Sequence, residues 1–500
     1  MLRLVAAVWI LIRADALLPR ELDFAFPEGV RALARLLRLF SGPRARQGGP
    51  GARLGSSLVR LGPVGIKFGQ FLSTRADILG ADVATDLAHL KDRLPAFPTE
   101  IATIEIARAL GVEAARLSVE LGAPVAAASL AQVHRARLAD GRQAAVKILR
   151  PGIERRVADD SRALVLGANM AHALFPGIRR LAPREFVATV IRSLRLELDM
   201  RLEAAAIDEL REVMARDGFM SAPKVVWPCV ARRVLVLEWA AGLPLSDCAS
   251  LDQPGLDRPL LAVNLIRGFL AQALDHGVFH ADLHEGNLFI EAPARLVLVD
   301  FGIVGRLGAA ERRYLAEILW GFLRRDYRAV AEIHFRAGYV RQNQDRASFA
   351  QALRAVGEPA FGKTASRLSM ARVLAQLFEV TALFDMSLRP ELILLQKTMV
   401  TVEGVARGID PDHDIWCAAE PVVRRWIERE VSPSAAVRRA FDELRAAVRA
   451  VPLLAARAGE GAATISPSPE APTRAIGSWA AFVLGVMVAA GAFSAAILFR

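Results

Sequence analysis

Cysteine is scarce in this 500-residue chain, which contains three. Cys229, Cys248 and Cys417 show neither a paired spacing nor the spacing of metal ligands. Their pattern excludes a disulfide framework of the kind that holds small secreted domains together. We therefore expect a reducing compartment, with the cysteines serving as small core residues.

Lysine is scarce as well, although the chain is strongly basic. The formal net charge is +11, and only six of the 64 basic residues are lysines. The charges are spread along the chain without an aromatic-interleaved basic cluster, which argues against nucleic acid and favours an anionic membrane surface as partner. Because arginine is the default cation here, a retained lysine is a candidate for a task that needs a compact ammonium. The six are Lys67, Lys91, Lys147, Lys224, Lys363 and Lys397.

Long uncharged runs are few. The apolar run from Leu4 to Ile12 is too short to cross a bilayer and predicts an amphipathic helix. Residues 477–499 are 23 residues without a charge. At about 1.5 Å per residue they reach about 35 Å, which predicts a transmembrane helix; the alternative is a buried soluble helix. Arginines crowd the N-terminal side of this run, so the positive-inside rule places the rest of the chain in the cytoplasm.

The chain does contain a pattern of protein-kinase type between His280 and Gly302. Residues 280–287 read His-Ala-Asp-Leu-His-Glu-Gly-Asn, and Asp-Phe-Gly follows at 300–302. In kinases the first aspartate orients the attacking hydroxyl, and the asparagine and the second aspartate hold Mg²⁺ at the phosphates of ATP. Asp282 fits the catalytic role, and Asn287 and Asp300 fit the metal-binding roles, since Mg²⁺ prefers oxygen ligands. The alternative is that the three are turn and cap residues.

A second set of motifs predicts the smaller lobe of a two-lobed nucleotide kinase. Residues 143–149 read as a strand that presents Lys147 to the α and β phosphates. The loop at 125–133 stands where a kinase carries its glycine-rich phosphate cover. Alanine resists positive φ, so this loop should approach the phosphates differently from a glycine-rich one. The predicted covering residues are Ala126, Ala127, Ala128 and Ser129.

A helical pattern over about 185–215 supplies an acidic partner for Lys147. A lysine at the phosphates needs a carboxylate to hold it in place. We predict that Glu203 forms this ion pair, with Glu197 and Glu209 as the alternatives, since most acids on a polar helix face are merely solvated.

The strand at 233–238 leads into a predicted hinge. In a two-lobed nucleotide kinase this segment passes the adenine, whose edge is contacted by backbone N–H and C=O groups. Residues from Glu238 to Ala240 are the predicted contacts.

The activation segment of peptide kinases is missing. Eight residues past Asp300 the chain enters a helical pattern at Gly308, and no Ala-Pro-Glu follows. The usual platform for a peptide substrate is therefore absent. Residues 309 to about 450 are predicted to be almost wholly helical, as in a kinase C-lobe with additional helices.

Taken together, these motifs resemble the UbiB family of atypical kinases, whose bacterial members are tied to ubiquinone biosynthesis. The most specific marks are the alanine-rich loop and Lys-Phe-Gly-Gln at 67–70, whose lysine and glutamine share a face if helical. The resemblance implies that the N-terminal extension folds over the active site and closes the entrance to peptides. It also implies ATP binding and hydrolysis rather than phosphorylation of a protein. The implied gating residues are Lys67, Gln70, Glu197 and Asp199.

The expected fold class is α+β. It is an atypical protein-kinase-like two-lobe fold with an N-terminal helical extension, a largely helical C-lobe and a C-terminal transmembrane helix. Family members commonly show two C-terminal spans, whereas this apolar run suffices for one. The predicted domains are the extension at 1–115, the N-lobe and hinge at 116–242, the C-lobe at 243–455, a linker at 456–476 and the transmembrane helix at 477–499.

Three functions fit these features. The first is a membrane-anchored kinase or ATPase that uses ATP and Mg²⁺ to support ubiquinone synthesis at the bacterial inner membrane, with its catalytic domain in the cytoplasm. Its expected partners are membrane lipids, polyprenyl-phenol intermediates and other ubiquinone-synthesis enzymes, and no nucleic acid. The second is a pseudokinase scaffold for those enzymes, and the third is a small-molecule phosphotransferase. Neither a flavin fingerprint nor an iron-ligand triad is present, so ring hydroxylation is rejected.

Overall fold

In the computed structural model the described residues run, with gaps, from 2 to 431. They are 2–17, 20–21, 28–42, 48–73, 80–88, 90, 94–116, 121–174, 182–361, 376, 380, 383–384, 386 and 390–431. The chain divides into two compact units, residues 1–428 and 429–500. The predicted linker and the predicted transmembrane helix at 477–499 lie outside the described residues. Among the helices that are described, none has the length and apolar character needed to cross a membrane.

Helices make up the N-terminal extension. They are α1 Leu2–Arg13, α2 Glu28–Arg38, α3 Pro50–Leu61, α4 Pro63–Ser73, α5 Ala81–Ala88 and α6 Thr99–Leu110. Gly62 separates α3 from α4 with a φ of 88°, a left-handed conformation that glycine adopts without strain. The two helices pack against each other across this break, and α4 carries Lys67 and Gln70.

The acidic helix predicted over 185–215 is in fact two helices. The helices of this region are α7 Ile153–Leu174, α8 Pro183–Glu197 and α9 Met200–Asp217. Asp199 caps α9, because its carboxylate accepts the Arg201 N–H at 3.1 Å. The prediction of one helix is therefore wrong, since a short acidic side chain that binds the backbone ends one helix and starts the next. The break places Glu197 and Glu203 on different helices.

Within the described residues, ten short strands form three sheets. The strands are β1 Pro124–Ala127, β2 Ala131–Arg137, β3 Gln143–Leu149, β4 Met220–Ser221, β5 Val234–Glu238, β6 Leu243–Pro244, β7 Val278–His280, β8 Leu288–Glu291, β9 Arg295–Leu298 and β10 Val304–Arg306. The smaller lobe holds an antiparallel sheet in the order β1, β2, β3, β5. The others have the order β4, β9, β8, β6 and the pair β10, β7.

The sheet of the smaller lobe separates two hydrophobic cores. Val234 and Val236 pack with α6 on one face, whereas Leu235 and Leu237 join the main core on the other. This alternation follows from the two-residue period of a strand. Lys147 on β3 lies opposite Leu235 and therefore faces the main core, to which α9 also contributes.

The larger lobe is mostly helical, as predicted. Among the described residues its helices are α10 Arg258–Ala271, α11 Ala309–Leu323, α12 Tyr327–Arg336, α13 Arg346–Gly357, α14 Pro390–Ile409 and α15 Ile415–Glu430. Helix α10 is largely buried and packs against α14. It continues into a π-helical turn, Gln272–His276, that leads to β7. Such turns often occur next to functional residues, and β7 leads into the site.

Candidate nucleotide and metal site

The predicted catalytic loop connects β7 to β8. The Asp282 side chain is 43% exposed, so a ligand can reach its carboxylate. Asn287 is buried, and its amide nitrogen donates to the Asp282 carbonyl at 3.0 Å. Because this nitrogen is engaged, the amide oxygen of Asn287 is the atom available to bind a metal.

His280 ties this loop to the Asp-Phe-Gly segment. The buried ring accepts the Asp282 N–H at Nδ1 over 3.2 Å, and Nε2 lies 2.8 Å from the Asp300 carbonyl. Since Nδ1 accepts, the proton lies on Nε2 and is donated to that carbonyl. Burial lowers the pKa of His280, so the ring stays neutral and keeps both bonds. The side chain of Gln272 accepts the His280 N–H at 3.0 Å and holds the strand from the π-helical turn.

Lys147, Glu203 and Asp300 meet between the two lobes. Asp300 has a φ of 61°, a left-handed conformation that is uncommon for a residue with a Cβ and clusters at functional sites. Its Oδ1 lies 2.9 Å from Lys147 Nζ, and Glu203 Oε1 lies 2.7 Å from the same nitrogen. The structure thus places Glu203, rather than Glu197 or Glu209, beside Lys147.

These contacts set the charge of each group. Burial opposes a charge on Lys147, but the carboxylates of Asp300 and Glu203 outweigh it and raise the pKa of the lysine. The Lys147 ammonium, in turn, lowers the pKa of Asp300. Burial raises the pKa of Glu203 in spite of the attraction to Lys147. At neutral pH the site presents a charged lysine and an ionised Asp300, which suit phosphate and a divalent cation respectively.

The segment after Asp-Phe-Gly is a short strand that leads directly into a helix. Strand β10 pairs with β7, with Val304 opposite His280, and α11 begins at Ala309. Residues 302–309 are all described, and they contain no activation segment. Gly305 lies against the Phe279 ring so closely that a Cβ would come within 2.1 Å of it. The strand pair therefore leaves no room for a larger side chain at this position.

The predicted phosphate cover is a tight hairpin. The sequence placed a loop at 125–133, but β1 runs to Ala127 and β2 begins at Ala131, which leaves residues 128–130 as the turn. The predicted loop bounds are wrong because cross-strand pairing extends up to the turn, where the Ala128 N–H donates to the Ala131 carbonyl at 2.8 Å. Ala126 and Ala127 belong to the strand, and Ala128 and the buried Ser129 to the turn.

Arg150 fastens this hairpin to the N-terminal extension. Its guanidinium donates to the Ala128 carbonyl at 2.9 Å and to the Pro95 carbonyl at 2.8 Å. The Leu94 N–H donates to the Ala127 carbonyl at 3.2 Å. The backbone of the hairpin is therefore held from two sides, by Arg150 at the end of β3 and by the segment that precedes α6.

The Lys-Phe-Gly-Gln helix reaches the site through Lys67. Its ammonium on α4 lies 2.8 Å from the Glu197 carboxylate at the end of α8, and both side chains are mostly buried. Lys147 foremost, and Lys67 with it, lower the pKa of Asp300. Gln70 lies further along α4 and is half-buried.

Asp199 has a different surrounding from the other predicted gating residues. Its carboxylate caps α9 and pairs with the Arg201 guanidinium at 2.7 Å. Arg201, foremost through its side-chain hydrogen bond, lowers the pKa of Asp199. Asp199 therefore sets where α9 begins, and α9 carries Glu203.

The predicted hinge follows β5. The Glu238 N–H donates to the Lys224 carbonyl and the Trp239 N–H to the Gln143 carbonyl, each at 2.9 Å. Since these two amides are engaged, a base edge at the hinge would meet the Glu238 carbonyl or the backbone of Ala240.

Comparison with known proteins identifies the family of the chain. A family model for the ABC1 atypical kinase-like domain matches residues 89–334, and one for the UbiB helical domain matches residues 353–414. The curated protein "Probable protein kinase UbiB" of Xylella fastidiosa is 40% identical over 384 residues, which cover 75% of this chain and 69% of that protein. The chain belongs to the UbiB family.

Further UbiB relatives agree with this assignment, and a solved structure shows a similar fold. Proteins of the same name from Marinobacter nauticus and Xanthomonas campestris pv. campestris are 35% and 40% identical, each over 87% of this chain and over 80% and 78% of the relative. The structure of Rv3197 of Mycobacterium tuberculosis, solved with erythromycin, superposes with a TM-score of 0.52. It is 23% identical and covers 71% of this chain and 90% of its own, so it shows the fold alone. The chain thus has an atypical kinase-like fold of mixed, mostly helical structure.

The UbiB helical region supplies a contact that the sequence did not reveal. Thr398 on α14 is buried, and its hydroxyl lies 3.1 Å from the Ala281 carbonyl in the catalytic loop.

The smaller lobe contains a second such contact. Gln132 on β2 is also buried and exchanges two hydrogen bonds with the Phe97 backbone, at 2.9 and 3.1 Å. No local pattern marks these residues, because their partners lie far away in the chain.

The donor set of this UbiB-family site fits a magnesium nucleotide. Among the described residues, no group of three or more His, Cys, Asp or Glu side chains could hold a metal by itself. Asn287 and Asp300 offer one amide oxygen and one carboxylate, and Mg²⁺ usually takes its remaining ligands from water and phosphate. Lys147 adds the cation that phosphate needs.

Proposed function

We propose that this UbiB-family protein is a membrane-anchored, Mg-ATP-dependent kinase or ATPase that supports ubiquinone biosynthesis at the bacterial inner membrane. The observation that carries the proposal is the ion-pair network in which Lys147 Nζ lies 2.7 Å from Glu203 and 2.9 Å from Asp300. In nucleotide kinases the same three residue types position the phosphates and the metal.

Each side chain then has a role that follows from its chemistry. Lys147 contacts the α and β phosphates, and Asn287 and Asp300 hold Mg²⁺, which neutralises phosphate charge when bound. Asp282 orients the attacking oxygen, since its side chain is 43% exposed and a ligand can reach its carboxylate. The alanine hairpin at 126–129 covers the phosphates, and the Glu238 carbonyl and Ala240 backbone contact the adenine.

Hydrolysis, or transfer to a small acceptor, is favoured over phosphorylation of a protein. The Lys67–Glu197 pair, at 2.8 Å, lies on the extension side of the site, and Lys67 is close enough to influence Asp300. We infer that Lys67 and Glu197, with Gln70 beside them and Asp199 fixing the start of α9, gate the entrance. The short segment after Asp-Phe-Gly supports this view, because an extended peptide has no docking segment there.

The membrane part of the proposal comes from residues 477–499. Their 23 uncharged residues suffice for one span, and the preceding arginines support a cytoplasmic location of the kinase-like lobes. Membrane lipids, polyprenyl-phenol intermediates and other ubiquinone-synthesis enzymes are the proposed partners.

ATP turnover by the full-length protein in lipid vesicles tests the chemistry. The wild type should hydrolyse ATP with Mg²⁺, and Asp300→Asn should lose most of this activity because the metal loses its carboxylate. Glu209→Gln is a matched control on α9. Glu209 is not part of the Lys147 network, and its carboxylate accepts a hydrogen bond from the Arg306 guanidinium at 2.9 Å in an exposed pair. Nucleotide binding without turnover would instead support the scaffold function, and failure to bind any adenine nucleotide with Mg²⁺ would refute both.

The biological role needs a separate test. Quinones are measured in a strain that lacks the gene and carries either the wild type or Asp282→Asn. Rescue by the wild type alone supports the proposal, whereas rescue by both means that the catalytic aspartate is not needed for quinone synthesis.

A further inference from the structure

The first two helices display an apolar patch of exposed side chains. We call the patch, formed by two side chains of α1 and three at the end of α2, the N-terminal patch. Two of its rings lie together, with centroids 6.0 Å apart. Its members are exposed by 46% to 77%: Val5 60%, Trp9 46%, Leu36 57%, Leu39 77% and Phe40 54%.

The spacing of these residues explains why they share a surface. Val5 and Trp9 are four residues apart on α1, and Leu36 and Phe40 are four apart along α2 and its final turn. Residues at this spacing lie on the same face of a helix. The Gly42 N–H donates to the Arg13 carbonyl at 2.8 Å and holds the two helix ends together. Clustered exposed apolar side chains of this size mark an interaction surface rather than ordinary surface variation.

The side away from solvent is well packed, so the patch is not a set of frayed residues. Ala14, Ala16 and Ala34 are buried, and α1 packs on α3 and α7. Asp15 is 3% exposed, and its carboxylate accepts hydrogen bonds from Arg20 at 2.9 Å and from Arg38 at 3.2 Å. The patch is therefore presented on a fixed support.

The charges around the patch select its partner. Residues 2–17 and 28–42 contain five arginines and two acids, and one of the acids is the buried Asp15. Arg13 and Arg35 are exposed on the helices that carry the patch. A surface with exposed Trp, Phe and Leu flanked by arginine matches an anionic bilayer, because apolar groups enter the boundary between headgroups and acyl chains while guanidinium groups meet lipid phosphates.

We propose that the N-terminal patch inserts into the interface of an anionic lipid bilayer and gives the kinase-like unit a membrane contact of its own. This contact is separate from the C-terminal segment and does not depend on the nucleotide chemistry proposed above. It also brings lipid to α1 and α2. The chain continues from these helices through α3 to α4, which carries Lys67.

Quenching of Trp9 fluorescence by brominated lipid tests this insertion. The full-length protein is placed in phosphatidylcholine vesicles with or without phosphatidylglycerol, and in matching vesicles whose acyl chains carry bromine. The chain has seven tryptophans, so the Trp9 signal is taken as the difference between the wild type and Trp9→Phe. We expect this difference signal to be quenched by brominated lipid when phosphatidylglycerol is present, and to lose most of that quenching without it.

Variants of the patch separate insertion from general effects on the fold. Leu36→Glu with Leu39→Glu should abolish the quenching of Trp9, because both side chains are exposed and the charges oppose entry into lipid. Val112→Glu is the matched control, since Val112 is 88% exposed in the extension but lies outside the patch, and it should leave the quenching unchanged. Equal thermal melting of the variants and the wild type checks the fold.

Two results would overturn the proposal. One is a Trp9 signal that brominated lipid does not quench in any vesicle while ATP turnover remains intact. The other is a wild type that is dimeric in vesicles and becomes monomeric in the Leu36→Glu, Leu39→Glu variant with no lipid contact at Trp9, because a second copy of the chain would then cover the patch.

Discussion

Replacing Glu203 with glutamine should raise the Mg²⁺ concentration that the protein needs to bind nucleotide. Glu203 and Asp300 both lie against Lys147 Nζ, at 2.7 and 2.9 Å. Without the Glu203 charge, Lys147 pairs with Asp300 alone and competes more strongly with a metal for that carboxylate. The site also loses one negative charge that attracts Mg²⁺.

The size of the effect follows from the geometry. Two oxygens that share one lysine nitrogen at these distances lie within about 6 Å of each other. One unit charge at this distance contributes about 3 kcal/mol at an effective dielectric constant of about 20. The Asp300 side chain is 50% exposed, so solvent screening reduces the expected loss to about 1 kcal/mol, or roughly fivefold to tenfold in Mg²⁺ affinity.

The assay is a calorimetric titration of ADP at a series of Mg²⁺ concentrations. The midpoint for Mg²⁺ should rise in Glu203→Gln and stay at the wild-type value in Glu209→Gln, which removes an acid from the same helix but from a pair with Arg306. Binding of ADP without Mg²⁺ should not weaken, because the variant site is less negative. An unchanged Mg²⁺ midpoint in Glu203→Gln would refute the reasoning.

Three more outcomes can be checked. Burial lowers the pKa of His280, and it lowers the pKa of His334 to about 4. Below about pH 6.5 the unfolded chain therefore binds more protons than the folded protein, and the melting temperature should fall as the pH falls. A melting temperature that stays constant down to about pH 5 would contradict this. Arg150→Gln should speed amide hydrogen exchange at 94–97 and 124–131 about tenfold or more, measured against the unaffected main core, because the hairpin loses its guanidinium contacts; equal exchange would count against the clamp. Gly305→Ala should destabilise the protein by about 1–3 kcal/mol in urea unfolding, because its Cβ would meet the Phe279 ring at 2.1 Å, and wild-type stability would mean that the ring moves freely.

The motifs of the site were visible in the sequence because they are local. A short loop joins Asp282 to Asn287, one short strand pair spans the interval from Asn287 to Asp300, and the strand that carries Lys147 shows the expected alternation of buried residues. The errors lie at boundaries. Asp199 ended a helix that the residue pattern had continued, and strand pairing shortened the alanine loop to three residues.

Pairings between distant residues could not be chosen from the sequence. Glu197, Glu203 and Glu209 all stood in one helical pattern as partners for Lys147, and only the packing of α9 against β3's sheet selected Glu203. Glu197, on a separate helix, pairs with Lys67 at 2.8 Å instead.

The sequence by itself determined which chemical groups the protein has and which motifs carry them, since spacing and periodicity are properties of neighbouring residues. The tertiary structure alone decided which of these groups touch. Arg150, Thr398 and Gln132 support the site through partners tens of residues away, and Trp9 and Phe40 form a surface only because two helices pack side by side. Such contacts depend on the direction in which each element is packed, which no stretch of neighbouring residues specifies.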